Sequence, residues 1–86
     1  MNIRFTQAAW QDFEWFLDND KRIAQRIRRL LQEIIRNPEE GVGKPEKLRF
    51  QLAGCWSRRI TQEHRLVYKV NGDDIIVLSC RYHYEP

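Results

Sequence analysis

The period of the apolar residues changes once along this chain, and the change falls in one turn-rich loop. Between Thr6 and Ile35 they recur at helical spacing; beyond Leu48 they alternate with polar residues. Thr6 can cap a first helix running to about Asn19, with Ala9, Phe13, Phe16 and Leu17 at helical spacing. Asp20 reads as the cap of a second helix, whose apolar stripe is Ile23, Ile27, Leu30, Leu31, Ile34 and Ile35. Asn37-Pro38 ends it, because the residue before a proline is pushed out of the helical region. So short a joint at Asp20 makes the pair an antiparallel hairpin. Trp10 and Trp15 are read as packing residues, one of which could face a partner.

The loop itself, EEGVGKPE at 39–46, holds two glycines and a proline. It is no phosphate cradle, since Gly43-Lys44 is followed by Pro45 where the Walker pattern needs Ser or Thr. After it, Leu48, Phe50 and Leu52 alternate with Lys47, Arg49 and Gln51, which predicts a strand. Gly54 interrupts the run, and further strands are expected over 56–61, 65–70 and 74–84, with Asn71-Gly72 as a hairpin turn. Ile3 and Phe5, flanking Arg4, suggest a short opening strand. The order β-α-α-β-β-β-β gives an α+β fold. An N-terminal strand and a two-helix hairpin pack on one face of a mostly antiparallel sheet. The other face, largely polar and basic, is left open, and function is expected there.

A chain of 86 residues has room for one core, so residues 1–86 are read as a single domain. A domain of this size buries only about 60–65% of its unfolded surface, so its stability is expected to be marginal without a partner. No apolar run is long enough to span a bilayer, and the N-terminus lacks the pattern of a signal peptide. The expected location is the cytoplasm, where Cys55 and Cys80 would stay thiols. With His64 and His83 they lack the paired spacing of a zinc site, and no metal or cofactor is expected. The net charge of +3 is modest, but its distribution is uneven. Between Lys44 and Lys69 seven basic residues face two acids, a stretch able to attract a polyanion. Arg22, Arg26, Arg28, Arg29 and Arg36 form a second group, read as the solvated face of the second helix.

The chemistry-bearing side chains of the sheet half are Glu46, Arg59, Arg65, His83 and Tyr84. RNA cleavage by internal attack needs a base for the 2′-hydroxyl, an acid for the departing 5′-oxygen, and cations for the charge gathering on phosphorus. Glu46 is an isolated acid among Lys44, Lys47 and Arg49. An arginine can hold phosphate oxygens through two parallel hydrogen bonds, which lysine cannot. Register bears on whether these groups meet. A three-residue loop at 71–73 would set Arg65 opposite Ser79. Arg65, Arg81 and His83 would then share one face, and Leu66, Tyr68, Ile76, Leu78 and Cys80 the other. An even-numbered loop would instead put Arg65 on the side of Cys80. The odd loop is preferred because it keeps Arg65 off the apolar face.

Four separated segments, GKPEKL (43–48), GCWSRRIT (54–61), EHRLVY (63–68) and RYHY (81–84), resemble the YoeB (Txe) family of RelE-like toxins. The likeness covers essentially the whole chain, including WxDF at 10–13 and DKRI at 20–23. It implies a microbial-RNase-like fold and the toxin of a type II toxin–antitoxin pair, an mRNA endoribonuclease acting at the ribosomal A site. It further implies Glu46 as general base, His83 as general acid, Arg59 and Arg65 on the phosphate, and Tyr84 positioning the RNA. Lys44, Arg49, Arg58 and Arg59 become the expected RNA-binding residues. The implied partners are mRNA on the ribosome and a YefM-type antitoxin; the family often forms homodimers, though no exposed apolar stripe here establishes one. Two features depart from the family pattern: Glu85-Pro86 follows the usual His-Tyr terminus, and Cys55 stands where an aromatic is common. Two other readings compete. A related toxin inhibiting DNA gyrase would lack the Glu46–His83 pair, as ParE-type members do. A non-catalytic nucleic-acid-binding module would need only the basic sheet.

Overall fold

The computed structural model describes residues 1–82. Strand β1 (Asn2–Phe5) leads into helix α1 (Gln7–Asn19), whose first turn is capped by Thr6 Oγ1 accepting the Ala9 N–H at 3.1 Å. Helix α2 (Lys21–Arg36) follows at once, with Asp20 Oδ1 accepting the Ile23 N–H at 3.3 Å. Each cap satisfies an amide that the helix leaves without a partner. Strands β2 (Glu46–Lys47), β3 (Cys55–Arg59), β4 (Arg65–Asn71) and β5 (Asp74–Ser79) complete a five-stranded sheet in the order β1-β5-β4-β3-β2. Every pairing is antiparallel except β1 with β5. The expected α+β architecture is the one observed.

The main core lies between the helices and one face of the sheet. Phe13, Phe16, Ala24, Ile27, Leu30 and Ile34 meet Ile60, Leu66, Tyr68, Ile75, Val77 and Cys80 there. A smaller cluster of Leu48, Cys55 and Val67, flanked by Leu52 and Leu78, sits on the opposite face. The face expected to be largely polar has an apolar floor under part of it.

Three local expectations need correction. The first is the strand over 47–52. Pairing stops at Lys47, and Phe50 takes a left-handed φ of +58° at the head of a 3₁₀ turn, Phe50–Leu52, leaving its ring 80% exposed. The second is the β4–β5 turn. It has two residues, not three, because Asn71 pairs with Asp74 and Gly72 supplies a φ of +61° at the first central position. Arg65 still stays off the apolar face, for a different reason. A bulge makes Val67 pair with Ser79 while Tyr68 pairs with Val77, so Leu78 is an extra residue that resets the alternation. Ile76 and Leu78 thus turn away from the helices, and Ile75 and Val77 take their expected place.

The third correction concerns the last strand, which ends at Ser79 and not at residue 84. The Cys80 N–H leaves the ladder and donates to Asp12 Oδ2 of α1 at 3.1 Å. Arg81 then lies over the Trp15 ring, 3.6 Å from its centroid, so it joins α1 and not the face that carries Arg65. Trp10 packs edge-on against Phe5 and beside Phe13, and Trp15 edge-on against Phe16, as packing residues that remain partly exposed.

Candidate nucleic-acid interface

On the face away from the helices, the register draws Glu46, Ser57, Val67 and Ser79 into one row across four strands. Arg59 and Arg65 form the next row, directly opposite each other on β3 and β4. Glu46 and Arg59 are exposed and Arg65 is half-buried. Among the described residues, none of these three side chains takes part in an ion pair or hydrogen bond. Like charges directly opposite in a sheet are destabilising. A sheet that keeps such a pair uncompensated has a surface suited to an anion.

The approach to this row is fixed by Gly43. Its carbonyl accepts the Arg59 N–H at 2.7 Å, and its φ is +89°. A Cβ there would meet Arg58 Cβ, Arg59 O and Leu30 Cδ2, each at 3.1 Å. Only glycine lets the loop lie this close to the edge of β3, and so bring Lys44 and Glu46 alongside Arg59.

Arg58, expected among the RNA-binding residues, is not available to RNA. One residue before Arg59, it points to the helix side and is 0% exposed. Its Nε donates to Tyr68 Oη, its Nη1 to Val42 O, and its Nη2 to both Asn37 O and Glu40 O, at 2.6–3.0 Å. Tyr68 Oη in turn donates to Pro38 O at 2.6 Å. Burial pushes the Tyr68 hydroxyl above its ordinary value, with Arg58 opposing, so it stays a donor. The guanidinium is a staple between the sheet and the 37–42 loop, next to the carbonyl end of α2, where a cation is favoured.

His64, the other histidine of the sheet half, has a structural role. It is 6% exposed, and its Nδ1 accepts the Tyr82 N–H at 2.7 Å, while Nε2 lies 3.1 Å from Glu63 Oε1. Its ring stands edge-on to Phe16. The Tyr82 carbonyl accepts the Arg65 N–H at 3.0 Å, so both peptide groups of Tyr82 are held at the start of β4. Tyr82 has a φ of +65°, uncommon for a residue with a side chain. Such a conformation persists only where its surroundings enforce it. His83 and Tyr84 follow it in sequence and lie outside the described residues.

Lys44 and Arg49 are exposed beside this row, Arg49 just ahead of the 3₁₀ turn. Sequence reasoning missed Phe50, whose bare ring lines a shallow depression with Glu46, Lys47, Leu48 and Arg49. Alternation alone made it look like an inward-facing residue. Among the described residues no group of three or more His, Cys, Asp or Glu could hold a metal ion. Cys80 belongs to the helix-side core and Cys55 to the cluster on the other face. No helix among them is long and apolar enough to cross a membrane.

Residues 5–84 match the model of the YoeB-like toxins of bacterial type II toxin–antitoxin systems. The chain belongs to the YoeB-like toxin family. The toxin YoeB of Synechocystis sp. is 49% identical over 99% of both chains. A YoeB/ParE toxin from Agrobacterium tumefaciens superposes with a TM-score of 0.95, at 43% identity, over 98% of this chain and 100% of that one. The YoeB of a heterotetrameric YoeB–YefM toxin–antitoxin complex from Staphylococcus aureus gives a TM-score of 0.90 at 49% identity, over 98% of each chain. YoeB-like membership makes this chain a toxin of the RelE-like superfamily, built on that superfamily's α+β fold.

Proposed function

We propose that the chain is an endoribonuclease that cuts mRNA on the ribosome, using the RNA's own 2′-hydroxyl as nucleophile and no metal. The observation that carries this reading is the uncommitted Arg59–Arg65 pair, one row along the sheet from Glu46. Two planar cations side by side can grip the non-bridging oxygens of a phosphate and stabilise the added charge on phosphorus. Glu46 takes the proton from the 2′-hydroxyl, whose oxygen forms a new bond to phosphorus. The bond from phosphorus to the 5′-oxygen breaks, and His83 protonates that leaving oxygen. Tyr84 positions the RNA, and Lys44 and Arg49 hold neighbouring phosphates. The roles of His83 and Tyr84 rest on the family likeness alone.

A YefM-type antitoxin is the natural partner on this reading, supported by the YoeB–YefM complex of the S. aureus relative. An acidic segment that folds on binding could cover the open face and stabilise a small domain. Action on ribosomes would place the protein in the cytoplasm.

The test is to incubate translating ribosomes with the protein and map mRNA 5′ ends. New ends within translated codons are expected. Intact mRNA together with loss of DNA supercoiling activity would favour the gyrase-inhibiting alternative. Intact mRNA with retained binding would favour a non-catalytic module.

A further inference from the structure

The second basic group, on α2, does not simply face solvent. Arg22, Arg26 and Arg29 line one wall of an open groove of about 1090 Å³, whose other wall is Val42, Gly43, Lys44, Arg59 and Thr61. Five basic residues line the groove with two acids, Asp20 and Glu33. Asp20 is occupied in capping α2. Among the described residues, the three helical arginines make no ion pair or side-chain hydrogen bond, whereas their neighbour Arg28 bonds Gln25. Arg22 and Arg26 are four apart and Arg26 and Arg29 three apart, spacings at which like charges weaken a helix. Arg59 is common to this groove and to the phosphate-gripping pair.

We infer that this groove is a second phosphate-binding subsite, which takes the backbone of the same RNA strand on one side of the bond to be cut. Arg59, paired with Arg65, and Lys44 both line the groove, so a strand held at Arg59 and Arg65 would meet the groove at these two residues. The inference rests on the nuclease reading and extends it. Contacts of this kind act far from the reacting atoms, so they serve binding and not the chemical step.

The experiment compares the wild type with the triple variant Arg22→Gln, Arg26→Gln, Arg29→Gln on ribosomes carrying a defined mRNA. The variant should raise KM and keep kcat, because it loses contacts made equally in the ground and transition states. Three lost phosphate contacts should reduce the salt slope by about 2, so the gap in KM narrows roughly fifteen-fold between roughly 50 and 200 mM salt. A second arm replaces the linkages flanking the cut by uncharged methylphosphonates. That mRNA should raise KM for the wild type and add little further loss in the variant, as expected when both changes remove the same contacts. Fully additive losses would mean that the arginines touch something other than this strand, and would overturn the inference. So would an unchanged KM, or a variant impaired only in binding an acidic antitoxin. A wild type that leaves mRNA intact would instead overturn the nuclease reading beneath it.

Discussion

Arg59 and Arg65 face each other across β3 and β4, and neither has a carboxylate partner among the described residues. The fold would be more comfortable without one of them. Replacing Arg65 by Gln removes a cross-strand repulsion on the order of 0.2–1 kcal/mol. Thermal unfolding should therefore occur at the same temperature or slightly higher, while cleavage is lost. Arg65→Lys should also cut poorly, since a point charge cannot form the planar two-bond clamp. An Arg65→Gln protein that melts well below the wild type would show that this arginine serves the fold.

Arg58, its immediate neighbour, should behave in the opposite way. It is fully buried and donates to three backbone carbonyls and to the Tyr68 hydroxyl. A lysine ammonium cannot span four acceptors arranged around a planar fork. Arg58→Lys should destabilise the fold by about 1–3 kcal/mol through unsatisfied buried acceptors. Arg58→Ala should be worse. Denaturant unfolding of both proteins would measure the loss, and near-wild-type stability for Arg58→Ala would contradict the staple.

His64 fixes Tyr82 by accepting its N–H and keeps a ring edge on Phe16. His64→Phe retains a ring but has no acceptor; His64→Asn retains an acceptor but no ring. If the segment after Tyr82 carries the acid His83, kcat should fall about tenfold or more in His64→Phe, since misplacing a reacting group is costly. His64→Asn should retain more of it. Hydrogen exchange of the Tyr82 amide provides the structural readout, with protection expected in the wild type and lost in His64→Phe. Full activity in His64→Phe would mean that this anchor has no bearing on the chemistry.

Cys80 is buried among helix-side residues, and burial, with a smaller push from Asp12, raises its thiol to about 12 from 9.0. The reactive form is the thiolate, so native Cys80 should resist alkylation at pH 8 and react only on unfolding. Because the folded state holds this proton more tightly, the linkage favours folding below about pH 9. That contribution is lost as pH rises through 9 to 12. The Tyr68 hydroxyl, raised in the same direction by burial, adds to it. Denaturant midpoints measured from pH 7 to 10.5 should therefore fall above pH 9. A flat profile would contradict the burial of both groups.

The helices were legible because their determinants are local: Thr6 and Asp20 cap, Pro38 stops, and the stripe from Ile23 to Ile34 is periodic. The sheet was legible in order but not in detail. The bulge at Leu78 and the turn at Phe50 are set by packing against other strands, and a two-residue alternation records neither. Arg58 and Arg59 show the limit most plainly. Their adjacency in sequence guarantees opposite faces, a signal that could have separated the buried staple from the exposed cation. The composition of two like residues in a basic stretch concealed it. Glu46, Arg59 and Arg65 were brought together by pairing register, while the groove wall on α2 needed the tertiary fold to reach Lys44.

The most direct test uses ribosomes programmed with an mRNA that carries a single 2′-deoxy nucleotide at the position cut in the unmodified message. The attacking group in this account is the RNA's own 2′-oxygen, activated by Glu46. The modified message should therefore bind and stay whole, even in the presence of EDTA-resistant activity on the unmodified control. The control should yield one fragment ending in a 2′,3′-cyclic phosphate, or its hydrolysed 3′-phosphate, and another beginning with a 5′-hydroxyl. Cleavage of the 2′-deoxy message at the same position would make water the nucleophile, and would contradict the roles given to Glu46 and His83.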